Sequence, residues 1–393
     1  MPAIWNLLRY NRLNQRKPQK FLILHMTKDQ LLKQYQEPST EGLFAPTVID
    51  LFCGCGGLSL GFSQAGYRVL AGIDHEKPAL KTYENNLNAH ALELDLADDE
   101  WVKHCEAAIG TSKVDVLIGG PPCQGYSLTG TRNPNDPRNK LYNSVFVGLE
   151  HFDPEVVLIE NVRGMATLFD GKAKEQVIKE FERRGYEVSW AVLDSADFGV
   201  PQHRLRLFFL AHKSSKIDLP TPVLTKESHV TCEQALEDLH PLDIEKEQFK
   251  SDQYFSKPSS SYQKLMRSAG LKVVSNHEAT RHKQFVIDTI KLVPEGKNHK
   301  SLPEGVGTSR TFNEAWTRYH SKKPSRTIDT GHRNHFHYKQ HRVPTVRENA
   351  RLQSFPDHFE FHGTRTSQNR QVGNAVPVLL AQAIAMKIKD DAF

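Results

Sequence analysis

What the chain lacks narrows it first. No apolar run in its 393 residues approaches the ~18 needed for a membrane helix. The best early candidate, Phe21–His25, is short, flanked by basic residues and lacks a small-residue cleavage site, so a secretory signal is not expected. Cysteine is scarce, at five residues, and two of these (Cys53, Cys55) lie one residue apart, so no disulfide framework is expected and a reducing cytoplasm fits. Repeats and low-complexity tracts are missing, and the composition is that of a folded chain: 38% hydrophobic, 25% charged, 24 Gly and 21 Pro. The length suits two to three domains.

The net charge is +5, and its location says more than its size. Residues 1–45 carry seven Lys/Arg (Arg9 to Lys33) against three acids and read as a basic extension ending before Pro46. Met26 is an alternative start. A second cationic stretch, Arg318–Arg347, holds five histidines between His320 and His341. Such stretches suit a polyanion or a solvated polar surface.

From Thr47 the pattern becomes strand, turn, helix. Strands are predicted over Thr47–Phe52, Tyr67–Ile73, Val114–Ile118, Val156–Ile159, Glu187–Leu193 and Leu205–Ala211. Helices are predicted over Leu58–Ala65 and Pro78–Asn88. The alternation argues for an α/β fold with a mostly parallel sheet. After Lys213 it dissolves, and 214–340 read as a second, irregular domain. Helical patterns return at Val346–Leu352 and Val376–Ile388.

Four blocks follow strands, where open α/β sheets bind ligands. The first runs from Asp50 to Leu58. Gly54 and Gly56 begin a dinucleotide fingerprint, but Ser59 stands where the third glycine belongs. With Asp74 at the next strand end, it suits an adenosine ligand or a structural turn. No GK[ST] follows, which excludes a P-loop. The second runs from Gly119 to Ser127. Pro121 and Pro122 fix the backbone ahead of Cys123, so the thiol is a candidate nucleophile, with a buried inert cysteine as the other reading, and Thr129–Lys140 reads as a mobile lid. The third, Glu160-Asn161-Val162, offers a carboxyl that burial would turn into a general acid, or a surface acid. The fourth, Gln202–Arg206, puts Arg204 and Arg206 on one strand face, as an anion fork or an exposed edge. Zinc on Cys53/Cys55 with His332, His335, His337 and His341 has the wrong spacing, so no metal is expected.

In order, DLFCGCGG, Asp74, Asp95, GGPPCQGYS, ENV, QHRLR, a long variable stretch, RENARLQSFP and QVGNAVP resemble the DNA (cytosine-5)-methyltransferases of bacterial restriction–modification systems, over about residues 46–388. The resemblance implies a Rossmann-like S-adenosylmethionine-dependent methyltransferase domain with a smaller, irregular target-recognition domain. The first would be built from 46–213 and completed by 343–393; the second would be 214–342. It implies S-adenosyl-L-methionine on Phe52, Gly54, Gly56, Gly57, Asp74 (ribose), His75 and Asp95 (adenine), closed by Asn374 and Val376. The family more often has Glu at Asp74 and a larger hydrophobe at His75. It further implies Cys123 as the thiolate that adds to cytosine C6, Glu160 as proton donor to N3, and Arg204 and Arg206 holding Glu160 and the base oxygen. Residues Gln124–Lys140 would close over a flipped base, with Gln124 and Thr129 filling the gap it leaves. Double-stranded DNA is the implied partner, read by a monomer in the cytoplasm at the nucleoid, with a cognate endonuclease sharing its site. An RNA cytosine-5 methyltransferase would carry a CFT motif that is absent, a silent DNA-binding regulator would have lost Cys123 or Glu160, and a nicotinamide dehydrogenase would need the third glycine and leave PPCQ unexplained.

Overall fold

A computed structural model of the chain describes residues 26–35, 45–122, 137–267, 271–306, 315–331 and 334–393. Seven strands form one sheet: β1 (Thr47–Leu51), β2 (Arg68–Asp74), β3 (His90–Glu93), β4 (Val116–Gly119), β5 (Val156–Val162), β6 (Glu187–Asp194) and β7 (Leu205–His212). Their order is β3-β2-β1-β4-β5-β7-β6. Strands β1 to β5 pair in parallel, and β7 runs antiparallel to both β5 and β6. The order reverses between β1 and β4, which opens a crevice beyond their C-terminal ends.

The strands are apolar on both faces, as a doubly covered sheet requires. Val48, Val116, Ile118, Val156 and Leu158 point to one side. Their neighbours Ile49, Leu51, Leu117, Val157 and Ile159 point to the other. On the first side lie α2 (Gly57–Gln64) and α12 (Val378–Ala392), packed so closely that a Cβ on Gly61 would stand 2.4 Å from that of Ala381. At the far end of α12 the Phe393 ring meets Tyr67, edge-on at 6.2 Å, and the next residue, Arg68, donates its N–H to Pro46 O at 2.9 Å. The second side is covered by α4 (Trp101–Ile109), α5 (Pro137–Phe152) and α6 (Lys172–Glu182), through Trp101, Phe146 and Phe181. Between β2 and β3 runs α3 (Lys77–Asn86).

Two helices depart from the sequence expectation. The run expected as one helix over Val376–Ile388 is preceded by a separate helix, α11 (Arg365–Asn374), and α12 starts only at Val378. Ala375 is extended and Pro377 cannot continue a helix, so the chain breaks there. Within the extension, α1 (Lys28–Gln34) opens with a reciprocal Thr27–Gln30 capping box. It buries Leu31 and Leu32 in the main core, and Tyr35 donates to Phe198 O at 3.3 Å.

After His212 regular structure is sparse: α7 (Cys232–Leu236), α8 (Ser261–Met266), α9 (Gln284–Leu292) and a two-stranded parallel pair, β8 (Thr317–Arg318) and β9 (His335–Phe336). The apolar core nevertheless continues past this point, since Ile217, Leu219, Leu236 and Tyr262 join the cluster under the sheet. Helix α10 (Val346–Leu352) knits the two regions with charge. Arg342 pairs bidentately with Glu348 at 2.7 Å, and Arg351 bridges Asp357 (2.5 Å) and Asp238 (3.0 Å). All five side chains are at most 2% exposed.

Candidate active site

A cavity of about 620 Å³ opens at the sheet's switch point. Its first wall is the turn after β1. Cys53 N–H donates to Ile73 O at 3.1 Å, Gly54 N–H to Asp74 Oδ2 at 2.9 Å, and Gly56 N–H to Cys53 O at 2.9 Å. The turn is tight enough to put Phe52 at φ 58°, a strained value for a bulky residue, and Gly56 at φ 94°. A Cβ on Gly56 would also lie 2.4 Å from the Leu87 side chain, so only glycine fits there.

Asp74 sits at the end of β2. Its Oδ1 accepts from His75 N–H (2.8 Å) and Glu76 N–H (2.9 Å), while its Oδ2 holds Gly54. Phe52, Gly54, Gly57, Asp74, His75, Asn374 and Val376 all line the cavity. Gly56 acts from behind, as the residue that lets the turn form. Asp95 is exposed in the turn after β3 and is not part of the lining; it caps Ala97 N–H at 2.9 Å, and the preceding Leu94 donates to Asp74 O at 3.3 Å.

The opposite wall carries the second, third and fourth blocks. Pro121 and Pro122 line the cavity, and Asn161 Nδ2 donates to Pro121 O at 3.2 Å. Cys123 and residues 124–136, with Gln124 and Thr129, lie outside the described residues; 137–140 already belong to α5. Glu160 reaches toward Gly120, where a Cβ would stand 3.3 Å from Glu160 Oε2. Arg206 Nε meets Glu160 Oε1 at 2.8 Å. Burial pushes the Glu160 carboxyl above its usual range, against the pull of Arg206 and Arg204.

The two arginines do different things. Arg206 reaches Glu160. Arg204 is 2% exposed and donates to backbone carbonyls, Ile328 O at 3.2 Å and Gly373 O at 2.8 Å. Burial and the neighbouring Arg206 push it down to about 9, and its Nε has no partner among the described residues. Arg204 therefore staples β7 to two later segments whose residues, Thr327–Thr330 and Gly373–Val376, close the cavity. A Cβ on Gly373 would stand 2.6 Å from Asp329 O, so this seam needs glycine. Sequence reasoning missed the Thr327–Thr330 wall, which lies in the irregular region and carries no motif of its own. It also passed over Asp50, quoted with the glycine turn but given no role. Asp50 is fully buried and lines the cavity floor.

With the geometry in hand, the comparisons agree. The family model for C-5 cytosine-specific DNA methylases matches residues 46–390. The chain belongs to this family. It is 38% identical over 347 residues to a type II methyltransferase of Haemophilus parahaemolyticus, covering 86% of this chain and 85% of that one. It is 36% identical over 369 residues to another from Desulfomicrobium norvegicum, covering 87% and 88%. Among solved structures, an E. coli prophage-encoded protein described as a DNA modification methyltransferase superposes with TM-score 0.69 at 26% identity, over 88% of this chain and 99% of that chain. The methylase is thus an α/β enzyme of Rossmann-like methyltransferase fold and a DNA cytosine-5 methyltransferase, and its RNA-modifying, silent and dehydrogenase alternatives are not favoured.

Proposed function

We propose that this methylase is the modification enzyme of a restriction–modification pair, with S-adenosyl-L-methionine as donor, a flipped cytosine in duplex DNA as acceptor and Cys123 as nucleophile. The observation that carries it is the Glu160–Arg206 pair at 2.8 Å, with a carboxyl of raised pKa, in the same cavity as Pro121-Pro122 and the glycine turn. The fit of the cofactor rests on the cavity's acidic side: Asp74 at the rim and, on the floor, an Asp50 oxygen without a partner among the described residues. Phe52, Gly54, Gly57, Asp74, His75, Asn374 and Val376 would hold it, and Asp95, in the turn outside the cavity lining, is assigned to the adenine. Bound there, it supplies an electrophilic methyl group for C5.

The protein's task is to make C5 nucleophilic. The Cys123 thiolate forms a bond to C6, the C5–C6 π pair becomes the C4–C5 double bond, and the former C4–N3 π pair takes a proton at N3, which leaves C5 as the nucleophilic carbon of an enamine. Glu160 is suited to give that proton, because its raised pKa keeps the carboxyl protonated closer to neutral pH. Arg206 orients Glu160 and stabilises the carboxylate left when the proton is given. Arg204 adds positive potential beside the base oxygen. After methylation a base takes the C5 proton, the C5–C6 double bond re-forms as Cys123 leaves as thiolate, and N3 returns its proton to Glu160. C6 is unreachable in a stacked duplex, so the base must leave the helix. Residues 124–136 follow Cys123 directly and are assigned to covering the flipped base. We assign recognition to 214–342, a region whose loops and cations suit base edges and phosphates, acting in a cytoplasmic monomer.

The test is Cys123→Ala. It should bind S-adenosylmethionine normally and show no methyl transfer by bisulfite sequencing of host DNA. Wild type should form a covalent complex with 5-fluorocytosine DNA, because the C5 substituent cannot leave as a proton. Turnover by Cys123→Ala at the wild-type rate refutes the reading.

A further inference from the structure

Helix α1 precedes the residues matched to the family, 46–390, and the chemistry makes no use of it. At seven residues it is too short to hold as a helix alone, so its partners fix it. Those partners fall on two sides. Leu31 and Leu32 lie over Gly199, where a Cβ would stand 3.4 Å from Leu32 and 3.5 Å from Leu31, and Tyr35 donates to Phe198 O at 3.3 Å. The polar first turn grips the later region instead. Lys28 Nζ donates to the Gln234 side chain of α7 at 2.9 Å, and Asp29 accepts from Ser261 Oγ at the start of α8.

The turn under the leucines, Ser195–Phe198, is tied to the active site. Ser195 donates from its N–H and its Oγ to Arg204 O, each at 3.1 Å. Two residues beyond Gly199, Pro201 O accepts from Ser325 N–H at 2.9 Å, and His203 N–H donates to Ser325 O at 2.9 Å. Gln202 Oε1 accepts from Ile328 N–H at 2.9 Å. The segment that leads into β7, with Arg204 and Arg206, therefore carries the Thr327–Thr330 wall of the cavity, and α1 backs the turn ahead of it.

We propose that Lys28 and Asp29 are positioning residues: they hold 214–342 in register with the turn that leads to Arg204 and Arg206, so that α1 couples target reading to turnover. The inference rests on the assignment of recognition to 214–342 and deepens it. A base presented to Glu160 must arrive within about an ångström of its productive place. The loops assigned to reading DNA belong to a region joined to the sheet by directional bonds, and its tilt decides where that base arrives. Helix α1 is one more attachment across the junction, apolar toward the sheet and polar toward α7 and α8. Cutting only the polar side leaves Leu31 and Leu32 packed and the cofactor side of the cavity, at the ends of β1 and β2, untouched. The later region then samples several tilts, of which a fraction is productive. Apparent affinity for DNA falls by that fraction, and mismatched sites compete better.

The test is the double variant Lys28→Ala/Asp29→Ala in the full-length protein. It is assayed by steady-state methylation of duplexes carrying the site found by bisulfite sequencing, intact or with one base pair altered. KM for the intact duplex should rise about two- to thirtyfold, and discrimination against the altered duplexes should fall by a similar factor. The Kd for S-adenosylmethionine and the denaturation midpoint should stay at the wild-type values. Hydrogen exchange should quicken in α7 and α8 and stay unchanged in β1 and β4. Lys28→Arg keeps a donor that reaches Gln234, so it should restore what Lys28→Ala loses. A double variant with wild-type KM and discrimination overturns the proposal. So does a loss that tracks a lowered denaturation midpoint and that Lys28→Arg fails to rescue, since α1 would then only stabilise the fold. Exchanging 214–342 for the same region of a relative, with methylation still at the original site, would instead remove the recognition reading.

Discussion

Buried side chains in the sheet are apolar almost throughout, whereas those joining the later region to it include Arg342, Arg347 and Arg351, each 0% exposed. The apolar faces of β1, β4 and β5 set how layers stack, through an attraction without direction. The arginines act through directional bonds to Glu348, Asp238 and Asp357 and to carbonyls such as Phe359 O at 2.6 Å. A region with few strands and short helices has little periodic packing to define one arrangement, and directional pairs supply that definition. The candidate active site thus lies on the part held by packing, and the loops to which we assign recognition hang from the part held by charge.

The comparison can be broken in four places, from the largest effect down. Glu160→Gln should cut turnover by about 10²–10⁴ while leaving DNA and cofactor Kd near wild type, because it removes a proton and no packing. A variant with wild-type kcat would remove Glu160 from the chemistry. Arg351→Met leaves Asp238 and Asp357 short of a partner and should cost about 3–5 kcal/mol in denaturant titration, against about 1 kcal/mol for Ile118→Val in the sheet. Equal costs would erase the contrast. Acid should weaken the charged region first. Burial pushes His277 down to about 4 and His337 to about 3, so the unfolded chain binds protons that the folded one refuses. Stability then falls as pH drops below about 6.5, by roughly 2 kcal/mol per histidine at pH 5. Proteolysis or hydrogen exchange at pH 5 should open 214–345 before the sheet; simultaneous opening contradicts this. Lys103→Ala, at an exposed pair with Glu100 (2.8 Å), should leave the denaturation midpoint unchanged, showing that burial rather than charge is what matters.

Six of the seven sheet strands were legible as short apolar runs, whereas β3 (His90–Glu93), only part-buried and without such a run, was not. Thr47, Glu187 and Leu205 start strands where the sequence placed them, and Gly54, Asp74, Glu160 and Arg206 line one cavity. Less legible were features made by partners distant in sequence. The role of Arg204 depends on carbonyls more than a hundred residues away. The Thr327–Thr330 wall is chosen by Gly373, which no local pattern couples to it. Helix α1 was overlooked because it is short, although its Thr27–Gln30 box stands in plain view. The unbroken apolar cluster across residue 213 escaped detection because Leu219 and Leu236 sit in polar surroundings and lack periodicity.

The placement of α12 has a consequence for how the gene could be rearranged. The last residue packs on Tyr67, and the adjoining Arg68 is bonded to Pro46, the residue just ahead of β1. The end of the chain therefore lies beside the beginning of the sheet, while the junction near 343 lies between the two regions. Transplanting 343–393 to a position in front of β1 would need only a short linker. It would preserve every strand pairing and the α2–α12 seam, and would leave residues 214–342 as a C-terminal segment that can be exchanged whole.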